Sequence, residues 1–281
     1  MTSAGKLLWM TVTPTLAQTL VLALALTLAL PASAAPPSGW RLVWADEFDV
    51  DGLPDPARWD YDTERNRAGW HNEELQYYAR ARLENSRVTG GRLVITARRE
   101  ALSAQPDYGG QQYTSARLVT RGKASWTYGY IEVRAKLPCG PGSWPAIWML
   151  GTKGQWPVDG EIDIMEHVGN RPGEILGSVY TGASNWPMGT GHTDRTMVVD
   201  ACGAFHDYHL TWTRERIRIG VDGRDYAERV NARDGDYAQW PFDSPQYLLL
   251  NLAVGGGLGG AVTNASLPWQ FEVEYVRVYQ P

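Results

Sequence analysis

The ten residues Gly160-Glu161-Ile162-Asp163-Ile164-Met165-Glu166-His167-Val168-Gly169 constrain this chain more than any other stretch. Ile162, Ile164 and Val168 are β-branched, and acidic and apolar residues alternate with period two, which is the pattern of a half-buried β-strand. Glu161 and Asp163 then share one face, Ile162 and Ile164 the other. Glu166 breaks the phase. Five positions after Glu161, it falls on the apolar face, where an unpaired carboxylate costs several kcal/mol. One extra residue near Ile164 or Met165, a β-bulge, would return it to the acidic face. The expectation is a bulged strand with three carboxyls on one side.

The remainder of the chain from Trp40 onward reads as short strand-like runs separated by Gly, Pro, Asn and Asp. Examples are residues 92–97, 129–135, 217–221 and 271–279. The last two alternate apolar with polar residues, as in an antiparallel sheet with one wet face. Asp222-Gly223 is a hairpin turn signal. Only residues 55–59 and 72–78 offer a turn or two of helix, and there is no internal repeat or low-complexity linker. These features predict an all-β fold of two packed antiparallel sheets, a sandwich or jelly roll. With 281 residues, one large domain is expected.

Residues 1–34 carry a single charge, Lys6, then an apolar run from Leu20 to Leu30, then Ala32-Ser33-Ala34 as a small-residue cleavage site. They read as a secretory signal, residues 35–39 as a short extended leader, and residues 40–281 as the domain. The expected product is secreted and, after cleavage, has no membrane association. Export permits a disulfide, and the two cysteines, Cys139 and Cys202, would close a loop of 63 residues (202 minus 139). In the chain-entropy account such a bond adds on the order of 4 kcal/mol. A formal charge of -5 argues against nucleic acid as partner. The aromatic residues are mostly those with a polar handle, 13 Trp and 14 Tyr against 4 Phe, so some are candidate sugar platforms and most are core.

Several of these runs together resemble glycoside hydrolase family 16, and within it the laminarinase-like bacterial endo-β-1,3-glucanases. The resemblance is carried by residues 144–150 (WPAIWML), 160–169, 205–213 (FHDYHLTWT), 241–242, 247–256 and 276–279, with further matches at 74–78 (ELQYY) and 113–118 (YTSARL). It extends over essentially all of residues 40–281. The implied fold is a concanavalin-like jelly roll whose concave sheet carries an open sugar cleft. The implied chemistry is retaining hydrolysis of a β-glucan, with Glu161 as nucleophile, Glu166 as general acid and then base, and Asp163 as the carboxyl between them. Retaining enzymes hold the outer carboxyls about 5 to 5.5 Å apart, inverting ones about 6.5 to 9.5 Å. Three carboxyls that close cannot all ionise, so at least one retains a proton, as an acid catalyst requires.

The inserted Met165 places the chain with the bulged members of the resembling family and favours β-1,3-glucan over the mixed β-1,3-1,4-glucan cut by strictly alternating ones. Trp144, Trp148, Arg117, Asn72 and Tyr180 are the positions the resemblance assigns to substrate. For Trp148, between Ile147 and Met149, core packing is the competing role; for Arg117 it is a surface ion pair. The chain departs from the family pattern at His71 and Glu73, at Tyr180, where His is usual, and at Gly257-Leu258, where Asn-Trp is usual. No cofactor is required by this chemistry, and no catalytic metal site is expected; His206 and His209, three apart on a strand, face opposite sides. A structural calcium near Glu274 on the final strand is implied by the resemblance alone. The expected state is a monomer acting on a β-glucan polysaccharide. Alternatives are a β-1,3-1,4-glucanase, another polysaccharide hydrolase of the family, or a glucan-binding protein without activity.

Overall fold

Alternation on both sides of one apolar layer organises the chain into two facing sheets. The computed structural model describes residues 1, 2 and 35–281; the expected signal segment lies outside the described residues. The strands are β1 (Arg41–Asp46), β2 (Asp60–Tyr61), β3 (Gln76–Tyr78), β4 (Ser86–Val88), β5 (Leu93–Arg99), β6 (Tyr113–Ser115), β7 (Arg117–Val119), β8 (Gly129–Lys136) and β9 (Ser143–Gly151). They continue with β10 (Glu161–His167), β11 (Glu174–Tyr180), β12 (His192–Met197), β13 (His206–Trp212), β14 (Arg216–Val221), β15 (Arg224–Val230), β16 (Gln246–Val254) and β17 (Trp269–Gln280). One sheet has the order β12-β11-β10-β9-β16-β7-β2. The other runs β15-β14-β13-β8-β17-β5-β6-β3, with β1 beside β17 and β4 beside β5. All pairings are antiparallel except β3 with β6. The all-β sandwich expected from the sequence is therefore what forms.

Strand β16 lies inside the first sheet, between β9 and β7, and shows how the layers are built. Leu248, Leu250, Leu252 and Val254 project into the main core between the sheets, with Ile131, Val133, Leu210 and Val278 of the other sheet in the same cluster. Tyr247, Leu249 and Ala253, on the alternate positions, are also buried, against Trp148 and Trp144. Full burial of such side chains is worth about 1.5 to 3 kcal/mol each, and β16 gains it on both faces.

Two β-bulges keep apolar residues in that core. In β10 the pairing with β9 shifts between Asp163 and Met165, and that with β11 between Asp163 and Glu166. The second bulge was not legible in the alternation of residues 271–279. Pairing of β17 with β8 shifts between Val273 and Tyr275, so Phe271 and Val273 on one phase and Val276 and Val278 on the other all reach the core. An unbroken strand would turn Val276 and Val278 to solvent. Asp222 and Gly223 (φ 49° and 75°) form the primed turn that joins β14 to β15.

Cys139 and Cys202 form a disulfide with Cα atoms 5.8 Å apart. It ties the segment entering β9 to the segment entering β13. A helical turn at Gly256–Gly259 (α1), which the sequence reading did not anticipate, follows β16.

Candidate active site

The bulge decides where the acids point. In β10, Ile162, Ile164 and Met165 are all fully buried in the core, so two consecutive side chains, Ile164 and Met165, face the same way. Glu166 is thereby returned to the face shared by Glu161 and Asp163, as the sequence phase required. The arithmetic favours this: one irregular ladder position costs about 1 kcal/mol, whereas a carboxylate forced between the sheets costs several. Directly opposite the acids stand Leu150, Trp148 and Ala146 on β9 and Tyr180, Ser178 and Leu176 on β11.

Each carboxyl has its own partners. Trp144 Nε1 donates to Glu166 Oε1 at 3.0 Å, and Trp156 Nε1 donates to Glu161 Oε2. Burial pushes Glu161 up to about 7; its hydrogen bonds with Asp163 and Trp156 and the charge of Arg117 act the other way. Asp163 is raised well above the usual carboxylate range by burial, then by the charges of Glu161 and Glu166, and its bond to Glu161 raises it further. In that bond, therefore, Asp163 holds the proton and Glu161 accepts it. One oxygen of Asp163 meets no donor among the described residues, which suits a neutral carboxyl. Burial and the charge of Glu161 push Glu166 up to about 7 against the pull of the Trp144 N–H. The set can hold an anion at Glu161 and a proton at Glu166.

The strands flanking β10 form two unlike sides. On the β9-β16-β7 side, Arg117 is 11% exposed and pairs with Asp62 at 3.2 Å. Its guanidinium lies 4.6 Å from the Trp148 ring centre and 5.1 Å from that of Trp70. The sequence alternative of a surface ion pair for Arg117 does not describe this half-buried position beside two indole rings. Trp148 is half-buried on the acid face and donates to Asn251 Oδ1 at 2.7 Å. Asn251 Nδ2 donates onward to the Tyr78 hydroxyl at 3.1 Å, and Tyr78 donates to Glu74 at 3.4 Å. Asn72 sits in the turn His71–Glu73 with φ 58°. Its carbonyl is 2.8 Å from where a Cβ on Gly256 would lie, so the loop after β16 needs a glycine there. On the β11-β12 side Tyr180 faces Glu161 across the ladder. Burial and the charge of Asp163 push its phenol up to about 12. All eight positions singled out from the sequence thus lie on or beside one sheet face, with Asn72 at its margin.

The model of the family described as Glycosyl hydrolases family 16 matches residues 72–277. The chain belongs to glycosyl hydrolase family 16. A β-glucanase from Rhodothermus marinus is 52% identical over 252 residues, 86% of this chain and 85% of its own length. Among solved structures, a non-specific endo-β-1,3(4)-glucanase of this family, co-crystallised with 1,3-β-D-cellotriosyl-glucose, superposes with a TM-score of 0.87 at 53% identity. The match covers 89% of this chain and 98% of that one. The laminarinase from Rhodothermus marinus gives a TM-score of 0.81 at 52% identity, over 87% and 98% of the two chains.

Within this family 16 site, several partners escaped the sequence reading. Trp70 and Asp62 carried no local signal, because their roles depend on contacts between distant strands. Glu74, Tyr78 and Asn251 belonged to segments that carried the resemblance, with no function attached to them. Trp156 stands five positions before Glu161 in sequence, and its bond to Glu161 depends on the loop that enters β10. Away from the cleft, His206 binds Asp222 at 2.7 Å and His209 faces Asp225 at 3.2 Å, so the two histidines have separate partners. Glu274 accepts from Arg134 Nε at 2.8 Å through one of its two carboxylate oxygens.

Proposed function

We propose that this family 16 chain is a secreted endo-β-1,3-glucanase that cleaves laminarin-type glucans with retention. The observation that carries the reading is the bulge-directed trio, with Glu161 accepting hydrogen bonds from Trp156 and Asp163 while Glu166 has its proton held up to about 7. Glu161 attacks the anomeric carbon, and Glu166 passes its proton to the departing glycosidic oxygen. Glu166, now ionised, takes a proton from water, whose oxygen displaces Glu161 from the same carbon. Asp163 donates to Glu161 throughout; as the ester breaks, its bonding electron pair returns to Glu161 and the Asp163 hydrogen bond stabilises the restored charge. No metal or organic cofactor takes part in these steps.

The similarity to the laminarinase and to the bulged strand type supports the β-1,3 assignment. A second reading, broader action on mixed β-1,3-1,4-glucan, is favoured by the relative described as non-specific. Linkage-resolved product analysis on laminarin, lichenan and agarose separates them. Release of short β-1,3-linked products from laminarin, with the β-anomer formed first by proton NMR, is the expected result; no turnover of laminarin, or initial α-anomer, contradicts the proposal. Glu161→Gln should retain glucan binding and lose kcat by about three orders of magnitude or more. Secretion and a monomeric state belong to the same reading and are tested by the mass and sedimentation of the protein recovered from culture medium.

A further inference from the structure

We propose that Trp186 is a glycosyl platform that lengthens the cleft on the β11-β12 side, binding a glucosyl unit of the same β-glucan chain beyond the reacting one. The inference rests on the β-glucanase reading and concerns residues outside the catalytic trio.

Trp186 begins a turn of 3-10 helix, Trp186–Met188, in the connection between β11 and β12. The residue is 60% exposed and belongs to none of the core clusters. Folding therefore does not need the indole, and the turn that carries it is fixed by hydrogen bonds. Asn185, 3% exposed, donates through Nδ2 to Thr181 O at 3.0 Å and accepts through Oδ1 from Met188 N at 3.2 Å. Thr190 N donates to Asn185 O at 3.1 Å, closing the loop. An exposed aromatic face on an ordered turn is the arrangement that binds the C–H face of a pyranose at low ordering cost.

The loop is also joined to the site. Gly191 lies where a Cβ would be 2.6 Å from the Tyr180 ring and 3.1 Å from Trp186 N, so the loop comes down on Tyr180 because residue 191 has no side chain. Tyr180 in turn faces Glu161 across the ladder. Acid, phenol and the loop that carries the indole thus follow one another across the strands, opposite to the side carrying Arg117 and Trp148. At the other end of β10, Leu258 packs with Trp144 and Ala253, where an aliphatic side chain supplies no ring face.

The test compares Trp186→Ala and Trp186→Phe with the parent on laminarin, a β-1,3-linked hexasaccharide and the trisaccharide. Trp186→Ala should raise KM for the polymer and hexasaccharide roughly three- to ten-fold and leave kcat/KM for the trisaccharide unchanged, with Trp186→Phe in between. In the Glu161→Gln background, Trp186→Ala should weaken hexasaccharide binding by the same factor in calorimetry. Unchanged KM on long substrates overturns the proposal. So does a parallel loss on trisaccharide and polymer, which would make the loop merely structural. If the parent hydrolyses none of these glucans, the β-glucanase reading fails; if it does and Trp186→Ala behaves as the parent, only the platform fails.

Discussion

Trp144 on β9 and Glu166 on β10 are joined by an N–H···O bond of 3.0 Å, made across the bulged part of the ladder. The indole favours the ionised carboxyl and so opposes the burial and the Glu161 charge that push Glu166 up to about 7. Removing the donor in Trp144→Phe should raise Glu166 further. The alkaline limb of kcat/KM against pH then moves up by roughly one unit. A pH-rate profile on laminarin checks this, and an unmoved alkaline limb contradicts it.

Glu161 responds in the opposite limb. Trp156 and Asp163 both favour its ionised form, and the reaction needs that form. Trp156→Phe and Asp163→Ala should each shift the acid limb of the profile to higher pH, since the nucleophile then protonates more readily. The alkaline limb should stay where Glu166 sets it. Because the carboxyls interact, the limbs report the group rather than single residues, and the direction of movement is the observable.

Stability carries the same signature. Glu166 is near 7 in the folded protein and near 4.3 in an unfolded chain, so the native state binds the extra proton. Stability is thus highest below about pH 4 to 5 as far as this group is concerned, and it is lost as pH rises through 7. The full effect is on the order of 3 kcal/mol. Glu166→Gln, which cannot ionise, should melt several degrees above the parent at pH 8 and close to it at pH 5. Scanning calorimetry at the two values decides the matter; an equal offset at both rejects it.

The Cys139–Cys202 bond spans 63 residues and limits the unfolded chain. The double change Cys139→Ser, Cys202→Ser should lower stability by about 4 kcal/mol and the melting temperature by roughly 10 °C. Denaturant titration of the pair with the parent measures it. A loss below 1 kcal/mol would show that the closed loop adds little.

How much of this was legible depended on whether a residue's role was fixed locally. Glu166 could be placed because a carboxylate has one tolerable side in an alternating strand, so its wrong phase revealed the bulge. Tyr275 gave no such warning. A tyrosine is at home on either face, and the phase slip in β17 passed unnoticed between Val273 and Val276. Arg117 was identified by its motif, but its seat between Trp70 and Trp148 requires strands that come together only in the fold. The same holds for the bond from Asn251 to Tyr78, which lie 173 positions apart.

The extra residue in β10 also bears on how such a strand can change over generations. Removing Met165 would delete one fully buried side chain and restore strict alternation. Glu161, Asp163 and Glu166 would all still face the cleft, and His167 would still face inward. Insertion or loss of a single codon at this place therefore leaves every side chain on its own side and alters only the reach of the last acid along the strand. Most strand positions forbid such a change, since one residue more or less exchanges core for solvent. Here the reading frame of the sheet is indifferent to it, and the spacing between the two outer acids becomes open to selection.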